Sequence, residues 1–474
     1  MLFNSFNFLY FLILTLGLYY WPKLRGYQVH VLVAASFFFY ACENPALLAL
    51  LIACITLNAW LSHRMSWTAD LNKARWLAIY GVVFNVGLLA AFKYGPLALQ
   101  LVPRAGEGTW GWLLALPLPI GISFYTFENI SLLVDVLRHR RNGQAPFVPK
   151  NGLTHLLHSS LFVAFFPHLV SGPILKADTF IPQIGVPRMW RDIPWEAAFK
   201  AVVLGFFLKT VVADNIKEVT TLMVYPQFVN FSSATLLLLL GGYSVQIFAD
   251  FAGYSLIALG LAALFGYTLP DNFNFPYIAA SLGEFWRRWH ISLSGWLRDY
   301  LYFPLGGNRR GRLRTYLNLF LVMAIGGLWH GAAWSFAIWG LYHGLGLALE
   351  RWAAERWPGL GEKIPRWVCV LCVFAFVSLG WLLFRLPDFE HVIVYVCCVA
   401  ENWGLGLEGQ KKPWILVLLF SVPVVVLHAI AYSGADGRLG RLTKRVPAWV
   451  TYGFLVFAIA VSHGLPGAFI YFQF

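Results

Sequence analysis

From Thr315 to Leu349 the chain carries no Asp, Glu, Lys or Arg, and apolar residues dominate the stretch. At about 1.5 Å of rise per residue, a helix of that length exceeds the roughly 30 Å of a bilayer's hydrocarbon core. Non-helical backbone at that depth is tolerated only where it is buried in protein or lines a cavity. Apolar runs recur at Phe6–Tyr20, Pro45–Leu61, Leu77–Phe92, Ala234–Phe248, Val368–Phe384, Ile415–Ala431 and Val446–Val461. Charged residues make up 12% of the 474, about half the share in soluble globular proteins. The expectation is an all-α integral membrane protein with about ten to twelve spans. It reads as a single polytopic domain over residues 1–474, with no soluble module appended.

Charge placement orients the chain. Met1–Trp21 has no Lys or Arg before its apolar region and no small-residue cleavage pattern after it, so it reads as a retained span. Lys23 and Arg25 follow it directly, which puts the N-terminus outside and that loop in the cytoplasm. The net charge of +13 comes from loop clusters such as Arg138, Arg140 and Arg141, and Arg438, Arg441, Lys444 and Arg445. Cytoplasmic loops facing anionic lipid headgroups account for most of it, and nucleic-acid binding is excluded. The six cysteines lie in or beside apolar runs. Cys369 and Cys372 have no second ligand pair nearby, so buried thiols are the better reading and no metal site is expected.

Gly106–Gly108 reads as a loop. Between Pro117 and Glu350 the texture changes: ionisable residues stand in apolar surroundings, and Gly and Pro interrupt the runs. His330 is the sharpest case, in Gly326-Gly327-Leu328-Trp329-His330-Gly331. An ionisable side chain at membrane depth is a functional-site hypothesis by default. His330 either bonds a neighbouring helix or serves as a general base whose neutral imidazole takes a proton from a hydroxyl or thiol. His343 lies about 220° around an ideal helix from it, so one straight helix would keep them apart, and it reads as structural.

Glu284–Leu301 reads as one amphipathic interfacial helix. Phe285, Trp289, Leu293, Trp296 and Tyr300 form its apolar stripe. Seven arginines stand against two acids from Glu284 to Arg314, which places the segment on the cytoplasmic side. Arg287, Arg288, Arg298, Asn308 and Arg309 suit a phosphate-bearing donor, with Gly306-Gly307 letting backbone approach it. Equally, the helix can grip lipid headgroups. His290 lies within it. Glu128, Asp135, Asp250, Asp299 and His168 are further polar candidates, for relays or for structural pairing.

Taken in order, Ile120–Phe124, Phe166-Pro167-His168, Asp250–Ser255, Trp286–Ser294, Asp299–Arg309 and Leu328-Trp329-His330-Gly331 resemble the membrane-bound O-acyltransferase family. The resemblance is strongest to the branch of membrane subunits that O-acetylate bacterial alginate, with teichoic-acid D-alanyl transferases more distant. It covers 117–350. It implies a ring of spanning helices, with interfacial and re-entrant helices, around a central tunnel. The family's catalytic histidine falls on His330 and its second histidine on His290. The resemblance further implies a multi-pass protein of the bacterial inner membrane, acetyl-CoA as cytoplasmic donor, no bound cofactor, and periplasmic acetyltransferase proteins of an exopolysaccharide machinery as partners. The mechanism it suggests is His330 as general base, with a transient acetyl-histidine as the alternative. Cellulose or another cell-surface polymer would be served by the same chemistry. The rival classes are a secondary transporter, which repeat symmetry would favour, and a passive secretion scaffold, which would tolerate substitution at His330.

Overall fold

The computed structural model describes residues 3–101, 118–169, 172–434 and 437–465. Gly106–Gly108, and Val170 and Ser171 beside the His168 motif, lie outside them, as does Pro117 at the start of the expected core. The described residues are helical, with no strand among them. The principal helices are α1 (Phe6–Tyr19), α2 (Gln28–Ala41), α3 (Pro45–Trp67), α4 (Leu71–Leu101), α5 (Ile122–Arg141), α6 (Gly152–Ala164), α7 (Trp195–Phe206), α8 (Asp214–Thr220) and α9 (Ser233–Leu264). They continue with α10 (Leu282–Arg288), α11 (Ile291–Leu297), α12 (Arg312–His330), α13 (Trp334–Arg356), α14 (Arg366–Arg385), α15 (Phe389–Glu401), α16 (Lys411–Ser433), α17 (Arg438–Arg445) and α18 (Ala448–Ser462).

Among the described residues five helices combine the length and hydropathy needed to cross a membrane: Pro45–Trp67, Leu71–Gly95, Ser233–Leu264, Arg366–Arg385 and Lys411–Ser433. Phe6–Tyr19 and Ala448–Ser462 are apolar but shorter. The expected ten to twelve spans counted apolar runs. Five of the seven runs named above lie in these helices, and the other two correspond to the shorter pair. The apolar stretch from Thr315 to Leu349 is a hairpin of two helices, α12 and α13, and not one straight span.

The chain packs as two compact units. The first comprises residues up to 202 together with 258–270. Its helices start where local chemistry supplies caps. Asn44 accepts from the amides of Ala46 and Leu47 at the head of α3, and Asn151 does the same for Leu153 and Thr154 at the head of α6. Asn58 and Asn85 exchange amide hydrogen bonds between α3 and α4, while Ser62 on α3 meets His155 on α6 at 2.8 Å. In lipid such bonds and close packing hold helices together, because apolar faces have no driving force to leave an apolar solvent. His168 is fully buried, with Nε2 2.8 Å from Glu128 Oε1 and Nδ1 2.8 Å from the Phe165 carbonyl.

The second unit comprises 203–257 and 271 onward. Here α7 runs into a π-helical segment, Phe207–Ala213. A Cβ on Gly205 would stand 2.7 Å from the Gly253 carbonyl oxygen, and one on Gly253 2.9 Å from the Lys209 nitrogen. That glycine crossing lets Lys209 reach α9. Its ammonium meets Asp214 and Asp250 at 2.7 Å each, with the Tyr254 ring 5.4 Å away.

Candidate active site

The site is built on the α12–α13 hairpin of the second unit. Glycine makes the two helices touch. A Cβ on Gly327 would lie 2.3 Å from the Phe336 carbonyl oxygen, and one on Gly340 2.3 Å from that of Met323. This backbone-to-backbone approach orders the end of α12, where His330 is the last helical residue and extended Gly331 breaks the helix. At the other end Tyr316 donates to Glu355 and Arg312 pairs with it at 3.7 Å. The 19 residues of α12 thus separate Arg312 from His330 by about 27 Å.

His330 is buried in an aromatic setting. Its ring lies 4.8 Å from Trp329, 5.2 Å from Trp339 and 4.9 Å from Phe384 on α14. The Trp339 ring also lies 4.8 Å from His343. One straight helix would keep the two histidines apart; the break between α12 and α13 is why they share a tryptophan. His343 is fully buried, and neither ring nitrogen has a hydrogen-bond partner among the described residues.

His290 meets the site through Trp329. Its ring is 4.7 Å from Phe251 and 6.4 Å from Trp329, so Trp329 contacts both candidate histidines. The expected single helix over Glu284–Leu301 is corrected here. It is broken into α10, α11 and a π turn at Arg298–Tyr302, with His290 at φ +43° between the helices. A left-handed non-glycine residue is strained and is held only by its surroundings. Asn274 donates to the Arg288 carbonyl and Ile291 to that of Asn272. The Asn272 side chain accepts from Ser292 and donates to Ser255. The break has a packing reason. Successive helical residues point about 100° apart, whereas here Trp289 and His290 are both buried to 1% exposure.

The arginine-rich segment divides by pairing and exposure. Arg288 is committed to Glu284 at 2.9 Å and to the Asn274 carbonyl. Burial opposes ionisation of Glu284, but the Ala280 amide and Arg288 outweigh it and hold its carboxyl below the usual range. Arg298 pairs with Asp299 at 2.8 Å and remains exposed, as do Arg287, Asn308 and Arg309. Gly306 and Gly307 have φ of +108° and +57°, and the Asn318 amide on α12 holds the Gly307 carbonyl. The turn at Asn308 is therefore fastened to the helix that carries His330. Of the remaining polar candidates, Asp250 belongs to the Lys209 cluster of this unit, and His168 lies in the first unit with Glu128.

Beside His330 is a cavity of about 480 Å³ whose wall includes Gly331, Phe336 and Phe384. Lys217 and Arg385 also line it. Sequence reading passed over both, and also Lys209, although a lysine inside the apolar run 201–213 was a visible signal.

A model of the membrane-bound O-acyltransferase family matches residues 138–383. The probable alginate O-acetylase AlgI of Pseudomonas putida is 39% identical, with 100% of each chain covered. The peptidoglycan O-acetyltransferase of Helicobacter pylori is 36% identical over 86% of this chain and 80% of its own. The teichoic acid D-alanyltransferase of Bacillus subtilis is 30% identical over 57% of this chain and 70% of its own.

Proposed function

The chain belongs to the membrane-bound O-acyltransferase family and is a membrane acyltransferase, and from that premise we propose that it takes acetyl from cytoplasmic acetyl-CoA and passes it across the bilayer for O-acetylation of an exported polysaccharide such as alginate. The relatives named for alginate, peptidoglycan and teichoic acid support a polymer as the final recipient. One observation carries the reading: a buried histidine at a helix break, beside a cavity, with an arginine-rich segment at the far end of the same helix.

Arg287, Arg298 and Arg309, with Asn308, hold the donor phosphates on the face that the positive-inside bias makes cytoplasmic. The thioester reaches inward to His330. The neutral imidazole takes the proton of an acceptor hydroxyl, whose oxygen attacks the thioester carbonyl; the C–S bond breaks and the departing thiolate receives the proton. His290, with its ring against Phe251 and Trp329, fixes the second side of the site. The protein sits in the bacterial inner membrane, and its partners are periplasmic acetyltransferase proteins of the exopolysaccharide machinery.

The test is transfer from labelled acetyl-CoA by the purified protein in lipid nanodiscs, with a periplasmic partner and polymer supplied. His330→Ala should lower transfer by about 10²- to 10⁴-fold, the range of a lost general base. Full transfer by that variant would refute the mechanism.

A further inference from the structure

Buried nitrogens gather around Trp339 with nothing to bond. Among the described residues the indole nitrogens of Trp286, Trp339 and Trp381 and both ring nitrogens of His343 are buried without a hydrogen-bond partner. Their rings form one cluster: Trp339 lies 5.6 Å from Trp286, 4.8 Å from His343 and 6.1 Å from Trp381. An indole N–H only donates, and a buried tryptophan usually finds an acceptor for it. A buried donor left without one is costly, so a fold that keeps it needs a reason.

Trp339 brings one of these donors to the reacting end of α12. Its ring centre lies 5.2 Å from that of His330, with the planes at 88°. The two residues are 2% and 5% exposed, so both stand out of bulk water. Trp339 is also held in place. Gly340 follows it in the chain, and the close approach of Gly340 to the Met323 carbonyl pins that part of α13. Phe384 packs on its ring at 4.9 Å, and Trp381 stacks on it with the planes 22° apart. A donor fixed before the reaction in a dry site is worth far more than one in water, because nothing has to reorganise as charge develops. Ring centres this close let one small group lie about 3 Å from a nitrogen on each ring, the arrangement that a carbonyl under attack requires.

We propose that Trp339 is a catalytic residue, whose indole N–H donates to the carbonyl oxygen of the acyl donor and stabilises the oxyanion formed there. As the acceptor oxygen bonds to the carbonyl carbon, an electron pair moves to the carbonyl oxygen. The Trp339 Nε1–H bonds to that oxygen without giving up its proton. The carbonyl then re-forms, the C–S bond breaks, and the thiolate takes the proton held by His330. This role rests on the reading of His330 as the reacting centre, and the test separates the two.

Transfer by the full chain in nanodiscs, with partner and polymer supplied, is measured from acetyl-CoA and from its dithioester analogue, in which sulfur, a weak acceptor, replaces the carbonyl oxygen. Trp339→Phe keeps an aromatic ring and should lower kcat by about 10²- to 10³-fold, the range for one lost oxyanion donor, with KM for acetyl-CoA changed far less. The benzothiophene analogue of tryptophan at the same position keeps both rings and puts sulfur where the N–H stood. It should show the same loss with an unchanged thermal midpoint. In both variants the preference for the oxygen donor over the sulfur donor should shrink by about tenfold, the scale of one hydrogen bond to a charged group. Trp381→Phe removes another buried N–H of the cluster and should keep that preference. Wild-type transfer by the benzothiophene variant, or a loss equal for the oxygen and sulfur donors, overturns the proposal and leaves Trp339 a packing residue. Full transfer by His330→Ala would instead refute the reacting centre, and the role of Trp339 with it.

Discussion

Gly327→Ala and Gly326→Ala change adjacent residues by the same methyl group and should have opposite consequences. At Gly327 the new Cβ would stand 2.3 Å from the Phe336 carbonyl oxygen and 3.0 Å from the Gly340 Cα and nitrogen. All three are backbone atoms, so no side chain can swing away. Restoring ordinary contact requires α12 and α13 to part by about 1 Å near Gly327, one turn from His330. Overpacking of this kind costs about 1–3 kcal/mol, and the better helix propensity of alanine returns roughly 0.5–1 kcal/mol. The net loss, roughly 0.5–2 kcal/mol by those two terms, leaves the protein folded. Displacing a catalytic group by about 1 Å lowers rate on the order of 10²-fold. Gly326→Ala meets only the Cδ1 of Leu297, at 3.3 Å, a flexible end that can give way. The assay is acetyl transfer in nanodiscs, with thermal unfolding of the same preparations. Gly327→Ala should lose transfer far beyond its loss of stability, while Gly326→Ala stays near wild type. Equal activity in the two variants would refute the claim that backbone contact in the hairpin sets the position of His330.

Other expectations come from the buried polar groups. Lys209→Met leaves Asp214 and Asp250 together without their cation and should destabilise by about 3–5 kcal/mol; adding Asp214→Asn and Asp250→Asn should recover most of the thermal midpoint, and no recovery would count against the cluster. His290→Asn should fold, because asparagine tolerates the left-handed conformation. Its residual transfer then measures the contribution of the imidazole itself. Glu128→Ala removes the acceptor of both His168 Nε2 and the Leu175 amide and should lower stability by about 1–3 kcal/mol, read as an earlier unfolding transition.

Several of these features are local and could be read in the sequence. Hydropathy and charge density specify helices in a bilayer, because the backbone must bond to itself wherever water is absent. The glycines around His330 announced a break, and α12 ends there. The arginine bias after Glu284 and the Gly306-Gly307 turn are likewise properties of consecutive residues. What the fold alone decided depends on which helix faces which. His343 and His330 share Trp339 because glycines fold the stretch back on itself. The break at His290 is set by Asn272 and Asn274, residues outside the helix it interrupts. Lys209 meets Asp250 through the Gly205–Gly253 crossing, and Arg385 reaches the cavity by bonding carbonyls more than 160 positions away. In an apolar solvent one apolar helix face is as good as another. Partners are therefore chosen by close approach and buried hydrogen bonds, and neither leaves a period in the sequence.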